Sequence, residues 1–218
     1  MKKVILSFAA MCMTTILVTS CCCKKDNENQ ATMEKNDIVM ENILARKSVR
    51  HFTADTLAPE RMERLLKAAM AAPTGMNVQP WHFIVLTDKS RYDEIFGDNF
   101  NMRMYKESAA VVIFCADTTV TRPPRENPDA PAVTTPNQIW RDDMGACTEN
   151  FLLAAEADGL GACWTACYPF HDRMDPLRKA LQLPDNIVPY SVVPVGVPGG
   201  DEQPKDKWKP EKVHYENW

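Results

Sequence analysis

The sequence predicts a layered domain of strands separated by helices, α+β or α/β, and three observations carry that expectation. Two short apolar runs rich in β-branched and aromatic residues, WHFIVLT (81–87) and AAVVIFCA (109–116), have the composition of buried strands. After Pro59, residues Met62, Leu65, Leu66, Ala69 and Met70 recur at the i, i+3, i+4, i+7, i+8 spacing of a helix with one apolar face. Strand and helix signals of these two kinds then alternate along the chain. A length of 218 residues, 45% hydrophobic and 25% charged, is an ordinary soluble balance and enough for one domain.

In chain order, DIVMENILARKS (37–48) reads as a first helix, with Asp37 as its N-cap and Ile38, Ile43 and Leu44 as apolar positions. The helix opened by Pro59 stops near Pro73. A short helical stretch around Arg91 to Phe96 separates the two apolar strands. Residues 117–137 hold prolines at 123, 124, 128, 131 and 136, which predicts a long irregular excursion of the kind that covers a site or reaches a partner. A helix over 138–158 carries Ile139, Cys147, Phe151, Leu152 and Ala155 and ends at Gly159. ACWTACY (162–168) reads as a strand, a helix with Leu177, Ala180 and Leu181 follows, and VVPVGV (192–197) is the last strand. From Gly199 the tail is polar, yet it contains Trp208, Tyr215 and Trp218, which predicts packing on something, a second subunit being one candidate.

Several function classes drop out on composition. A net charge of −4 argues against nucleic acid as a main partner. Eight cysteines include no CxxC, HExxH is absent, and four scattered histidines make no zinc cage, so no metal site is expected. GxGxxG and GxxxxGK[ST] are both missing. The first twenty residues are distinctive: Lys2 and Lys3, an apolar run, then small residues, the three-part layout of a secretory signal. Val18-Thr19-Ser20-Cys21 resembles a bacterial lipobox, with cleavage before Cys21 and acylation of that cysteine. Removal of Lys2 and Lys3 with no acid would move the charge from −4 to −6. The expected organisation is a signal peptide (1–20), a lipidated tether (21–37) and a folded domain (38–218), held at the cell envelope by lipid with the domain outside the cytoplasm.

Two segments carry chemistry. Arg46-Lys47-Ser48-Val49-Arg50 sets three cations and a hydroxyl within five residues at a helix end. Such a cluster is often a solvated face, but it also suits a phosphate, because arginine offers a bidentate fork and serine a neutral donor. Ala72-Pro73-Thr74-Gly75-Met76-Asn77-Val78-Gln79-Pro80-Trp81 lies between a helix and a strand, with a glycine that permits close approach and two amides that donate and accept.

Together, ARKSVRHF and APTGMNVQPWHFIVL resemble the FMN-dependent nitroreductase family. DMGACTENFLLAAEADGLGACWTACYPFHDRM, PVGVP and PKDKWKPEKVHYENW are similar to that family's central helix, closing strand and C-terminal arm, so the resemblance spans roughly residues 38–218. It implies an α+β fold with a mostly antiparallel sheet wrapped by helices, in an intertwined homodimer with FMN at the subunit interface. By position it implies that Arg46, Lys47, Ser48 and Arg50 hold the FMN phosphate and ribityl chain, with Lys205 and Lys207 completing that site. Lys47 stands where the family usually has arginine. Pro73, Thr74, Gly75, Met76, Asn77 and Gln79 would approach the flavin from the partner subunit, Asn101 would meet its pyrimidine edge, and Trp164, Thr165 and Ala166 would line the ring.

The resemblance also implies a flavin that carries the chemistry, with no acid, base or nucleophile from the chain. Two electrons would come from NADH or NADPH and pass to a nitroaromatic, quinone or similar acceptor. Outside the cytoplasm nicotinamide is scarce, so a membrane or secreted donor is the alternative reductant. A reductive dehalogenase or flavin-modifying enzyme of the same fold, and an anchored flavin-binding protein without turnover, are the rival readings. Cys115 and Cys147 read as small core residues. Cys163 and Cys167, four apart on an expected strand, would be about 13 Å apart at the usual rise and so not disulfide-bonded.

Overall fold

The apolar run around Val112 becomes the middle of the sheet. In a computed structural model, which describes residues 37–218, β2 (Ala110–Asp117) lies between β1 (Trp81–Leu86) and β7 (Ile187–Gly196), antiparallel to both. On its other side β7 pairs with two short antiparallel strands, β5 (Gly161–Ala162) and β6 (Thr165–Ala166). Residues Ala110 to Ala116 are each 1% exposed or less. Successive residues of a strand face opposite sides, so an unbroken apolar run demands cover on both faces.

Helices supply that cover. Val112 and Phe114 belong to one core with Met62, Leu65 and Ala69 of α2 (Pro59–Met70) and Met144, Cys147 and Phe151 of α5 (Trp140–Ala157). Val111, Ile113 and Cys115 belong to the other, with Tyr92, Ile95 and Phe96 of α3 (Tyr92–Phe96), Tyr105 of α4 (Met102–Glu107) and Leu177 of α6 (His171–Leu181). The observed class is α+β with an antiparallel sheet and helices on both faces, as expected.

Two expectations about strands are corrected. The segment 117–137 is not irregular throughout: β3 (Thr119–Arg122) and β4 (Val133–Pro136) pair antiparallel as a separate ribbon, and four of the five prolines fall in the connection between them. Pro136, at the end of β4, is where a missing N–H costs a ladder least. ACWTACY is two fragments rather than one strand. The pairing of β2 with β7 shifts register between Phe114 and Cys115, and the carbonyl of Tyr190 there accepts the N–H groups of both Cys167 and Tyr168. A further helix, α4, occupies a stretch to which the sequence pattern assigns no element, with Asn101 as its cap.

Residues 42–218 form one compact unit; of the chain before it, residues 37–41 are described and are helical. They open α1 (37–45), whose Ile43 and Leu44 stay exposed at 44% and 68%, so those apolar positions do not enter a core. Asp37 lies within the helix rather than before it. The signal, Cys21 and the tether up to residue 36 lie outside the described residues. No helix among the described residues is long and apolar enough to cross a membrane.

Phe151 is fully buried and meets Phe114 edge-on, with ring centroids 5.3 Å apart. Truncating it removes both the burial and the ring contact, so Phe151→Ala is expected to lower unfolding free energy by about 3–5 kcal/mol in a urea titration.

Candidate functional site

The basic segment leaves α1 at Arg46 and is captured at once by the sheet. Ser48 forms a parallel bridge with Ala162, and the Val49 N–H donates to the Ala162 carbonyl at 3.0 Å. This approach needs the glycine at 161, because a Cβ there would sit 2.6 Å from Cβ of Val49. Further on, the Thr53 N–H donates to the Val197 carbonyl (3.0 Å), Phe52 pairs with Pro198, and the Gly199 N–H donates to the His51 carbonyl (2.9 Å). Residues 48–53 therefore run between the sheet and the beginning of the C-terminal segment. A cavity of about 420 Å³ opens there, lined by Arg46, Lys47, Ser48, Arg50, Glu202, Gln203, Lys205 and Lys207.

Six of the residues expected to hold an anion thus come together from chain positions more than 150 residues apart. Their charges are not equally available. Lys47 is spoken for: its Nζ lies 3.1 Å from Glu156 of α5, so it lines the cavity with its charge compensated. Arg46 pairs through Nε with Glu149 at 3.1 Å, and Nη1 of Arg50 donates to the Ser48 carbonyl at 3.2 Å. Lys205 and Lys207 are exposed, and no described residue pairs with either. Cys163 is buried, and burial pushes its thiol up against the lowering influence of Arg50 and Ser48, so it stays protonated at neutral pH. Cys115, Cys147 and Cys167 are likewise buried free thiols, each pushed up to about 12 by burial.

The turn between α2 and β1 is held in an unusual conformation. Met76, Asn77 and Gln79 have φ of 53°, 55° and 53°, a region in which side-chain-bearing residues cost about 1 kcal/mol or more each. Local bonds keep it there. The Gly75 N–H donates to Asp143 of α5 (3.0 Å), the Gln79 N–H to the Thr74 hydroxyl (3.2 Å), and the Gln79 amide to Asn77 (3.1 Å). Arg122 of the β3–β4 ribbon donates to the Met76 sulfur at 2.8 Å. Pro73, Met76, Asn77 and Gln79 are exposed, and none of the turn lines the basic cavity of its own chain.

Asn101 is employed as a helix cap, its Oδ1 accepting the Met104 N–H at 3.3 Å, and it also lies off the cavity. Thr165 and Ala166 pair with Val192 and Ser191 of β7. The Ala166 carbonyl accepts from Arg173 at 2.7 Å, and Trp164 packs against Tyr190 with centroids 5.8 Å apart. Sequence reasoning missed Glu202 and Gln203 in the cavity wall and Asp143 behind the turn. An acidic residue just before the Lys205–Lys207 pair was the available signal for the first.

A strand-bridged basic segment and a strained turn before a strand are joined by a match to the family model "Nitroreductase family" over residues 43–118 and 97–197. The chain belongs to the nitroreductase family. It is 36% identical over 185 residues to a protein of Archaeoglobus fulgidus named "Putative NADH dehydrogenase/NAD(P)H nitroreductase", covering 82% of this chain and 98% of that one. A crystal structure of the same description from Parabacteroides distasonis has 38% identity and a TM-score of 0.71, with 83% of this chain and 98% of that chain covered. An "FMN reductase (NADPH)" of Bacillus subtilis is 27% identical, over 82% of this chain and 73% of its own. In this nitroreductase-family chain the motif segments therefore sit in one fold, with the basic cavity and the strained turn on separate parts of a single subunit.

Asp143 links the turn to α5 through one oxygen while the other is buried without a partner among the described residues. Burial holds its carboxyl above the ordinary aspartate range, against the Gly75 N–H that lowers it. A raised carboxyl favours folding in its protonated form: its contribution is complete below the unfolded value and is lost as pH rises through the folded one. Asp143→Asn keeps an oxygen for the Gly75 N–H and removes the charge. It is expected to be more stable than wild type at pH 7, with the difference shrinking as pH falls toward 4, in urea titrations at both pH values.

Proposed function

We propose that this chain is an FMN-dependent oxidoreductase that passes two electrons from NAD(P)H or another donor to a nitroaromatic, quinone or similar acceptor. The observation that carries the reading is the cavity formed by Arg46, Ser48, Arg50, Lys205 and Lys207. The donor set fits the phosphate end of that cofactor: a dianion there meets guanidinium forks, a hydroxyl and two uncompensated ammonium groups. Relatives whose names carry NAD(P)H nitroreductase and FMN reductase activity support the same class.

FMN held there would supply two-electron redox chemistry. The chain's own residues bind and orient. Lys205 and Lys207 would neutralise the FMN phosphate, Ser48 would donate to it, and Trp164, Thr165 and Ala166 would lie along the flavin ring. The cationic wall favours an anion bound beside it by charge compensation. Residues 73–79 lie off the cavity of their own chain, which supports a homodimer in which the turn serves the partner's site. Exposed Trp208, Tyr215 and Trp218 on the C-terminal segment suit the same arrangement.

The test is a visible absorption spectrum of the purified full-length protein with FMN, before and after anaerobic NADPH. Flavin bands that co-purify or return on adding FMN and then bleach are the expected result. Bands that persist keep the cofactor and point to a different donor; protein that binds no FMN sinks the assignment.

The localisation is proposed on the lipobox alone: acylation at Cys21 tethers the enzyme to the cell envelope with its domain outside the cytoplasm. Growth with an alkyne-tagged fatty acid is expected to label the wild-type chain, and Cys21→Ala is expected to abolish the label.

A further inference from the structure

One wall of the cationic cavity is an acid, and its bonding is unusual. Glu202 Oε1 accepts two backbone N–H groups, from Arg50 at 2.8 Å and from His51 at 3.2 Å. These amides belong to the segment whose ladder to residues 197–199 has just ended, so the carboxylate side chain continues a strand pairing that the backbone drops. Its other oxygen, Oε2, is buried without a partner among the described residues. Gly200 leaves it room, because a Cβ there would come within 2.5 Å of that oxygen. Burial pushes the carboxyl up, but the backbone amides of Arg50, of Glu202 itself and of His51 outweigh it and hold it below the usual glutamate range, so it is charged at neutral pH. Lys205 and Lys207 follow three and five residues later, and no bond from any residue after 202 back to the body of the fold holds this stretch at the cavity among the contacts of the described residues.

Resting on the reading of the cavity as a phosphate site, we propose that Glu202 is a positioning residue that both ties the lysine-bearing segment across the cavity and limits how tightly an anion binds there. The two functions use different oxygens. Oε1 fixes the segment through the Arg50 and His51 amides, so Lys205 and Lys207 pay little ordering entropy when an anion arrives. Oε2 is a negative charge in the wall that a dianion must tolerate, since like charges in a partly buried site repel. The residue therefore raises affinity by preorganisation and lowers it by repulsion, and a change that separates the two separates the signs.

Glu202→Gln makes that separation. Its amide oxygen can still accept both N–H groups, while its NH2 replaces the unpartnered oxygen with a donor. Glu202→Ala removes tether and charge together. Equilibrium titration of the full-length protein with FMN and with inorganic phosphate, together with tryptic cleavage after Lys205 and Lys207 in the ligand-free protein, reads both functions. The expected result is that Glu202→Gln binds both probes about tenfold more tightly with cleavage unchanged, whereas Glu202→Ala binds them about tenfold more weakly and is cut faster. A Gln variant that weakens binding as Ala does, or an Ala variant whose cleavage and affinity match wild type, overturns the proposal. Wild type that binds neither FMN nor phosphate removes the phosphate reading itself and the affinity role with it, a failure distinct from wild type that binds both while the variants do not diverge.

Discussion

β2 is buried on both faces, and the rest of the molecule is arranged to keep it so. Val112 and Phe114 need α2 and α5; Val111, Ile113 and Cys115 need α3, α4 and α6. Since each fully buried valine, isoleucine or phenylalanine side chain contributes about 1.5–3 kcal/mol, one strand with four of them in a row, Val111 to Phe114, makes both helical layers obligatory. β7 pairs along nearly the full length of β2, and its own outer edge takes β5 and β6. The basic segment then attaches to β5 at Ala162 and to the chain leaving β7 at Val197 and Gly199. The cavity's location follows from the sheet order.

Gathering cations in one cavity is costly unless some are neutralised in place, and α5 does this from behind. Glu149 and Glu156, seven residues apart and so on one face of that helix, meet Arg46 and Lys47 respectively. The same helix supplies Asp143 to the strained turn one end away. One 18-residue element thus braces two segments that are separate in the sequence and separate in space. The exposed lysines are left uncompensated, and these are the ones an incoming anion can use without breaking an existing pair.

Much of this was legible because the signals were local. Met62, Leu65, Leu66 and Ala69 declare their helix by spacing, the β2 run declares burial by having no polar interruption, and Arg46, Ser48 and Arg50, grouped by donor type in the sequence, line one cavity in the fold. What the local pattern missed or misread has a common physical cause. Residues 102–107 are too few for a helical period to show, and they are helical because Asn101 caps them and Met104 and Tyr105 are buried. Val120 and Thr134 look like loop beside so many prolines, and only pairing across the ribbon makes them strand. The run 162–168 has a strand's composition, but the register shift opposite Tyr190 breaks its pairing. For Lys47 and Glu202 the deciding partners lie 109 and about 150 residues away, where no local pattern reaches.

The strand-to-segment ladder from Thr53–Val197 to His51–Gly199 has a consequence for how the protein comes into being. A growing chain presents Arg46 to Arg50 early, as a bare basic stretch with no counterpart, and the cavity does not exist until residue 207 has been made and β7 has joined the sheet. Contacts of such sequence separation form late, because closing so long a loop is entropically unfavourable until the sheet compensates for it. If the cavity holds the anionic end of a cofactor as proposed, that cofactor would meet its site only on a molecule whose sheet is already complete, and loading would be a readout of finished folding rather than a guide to it.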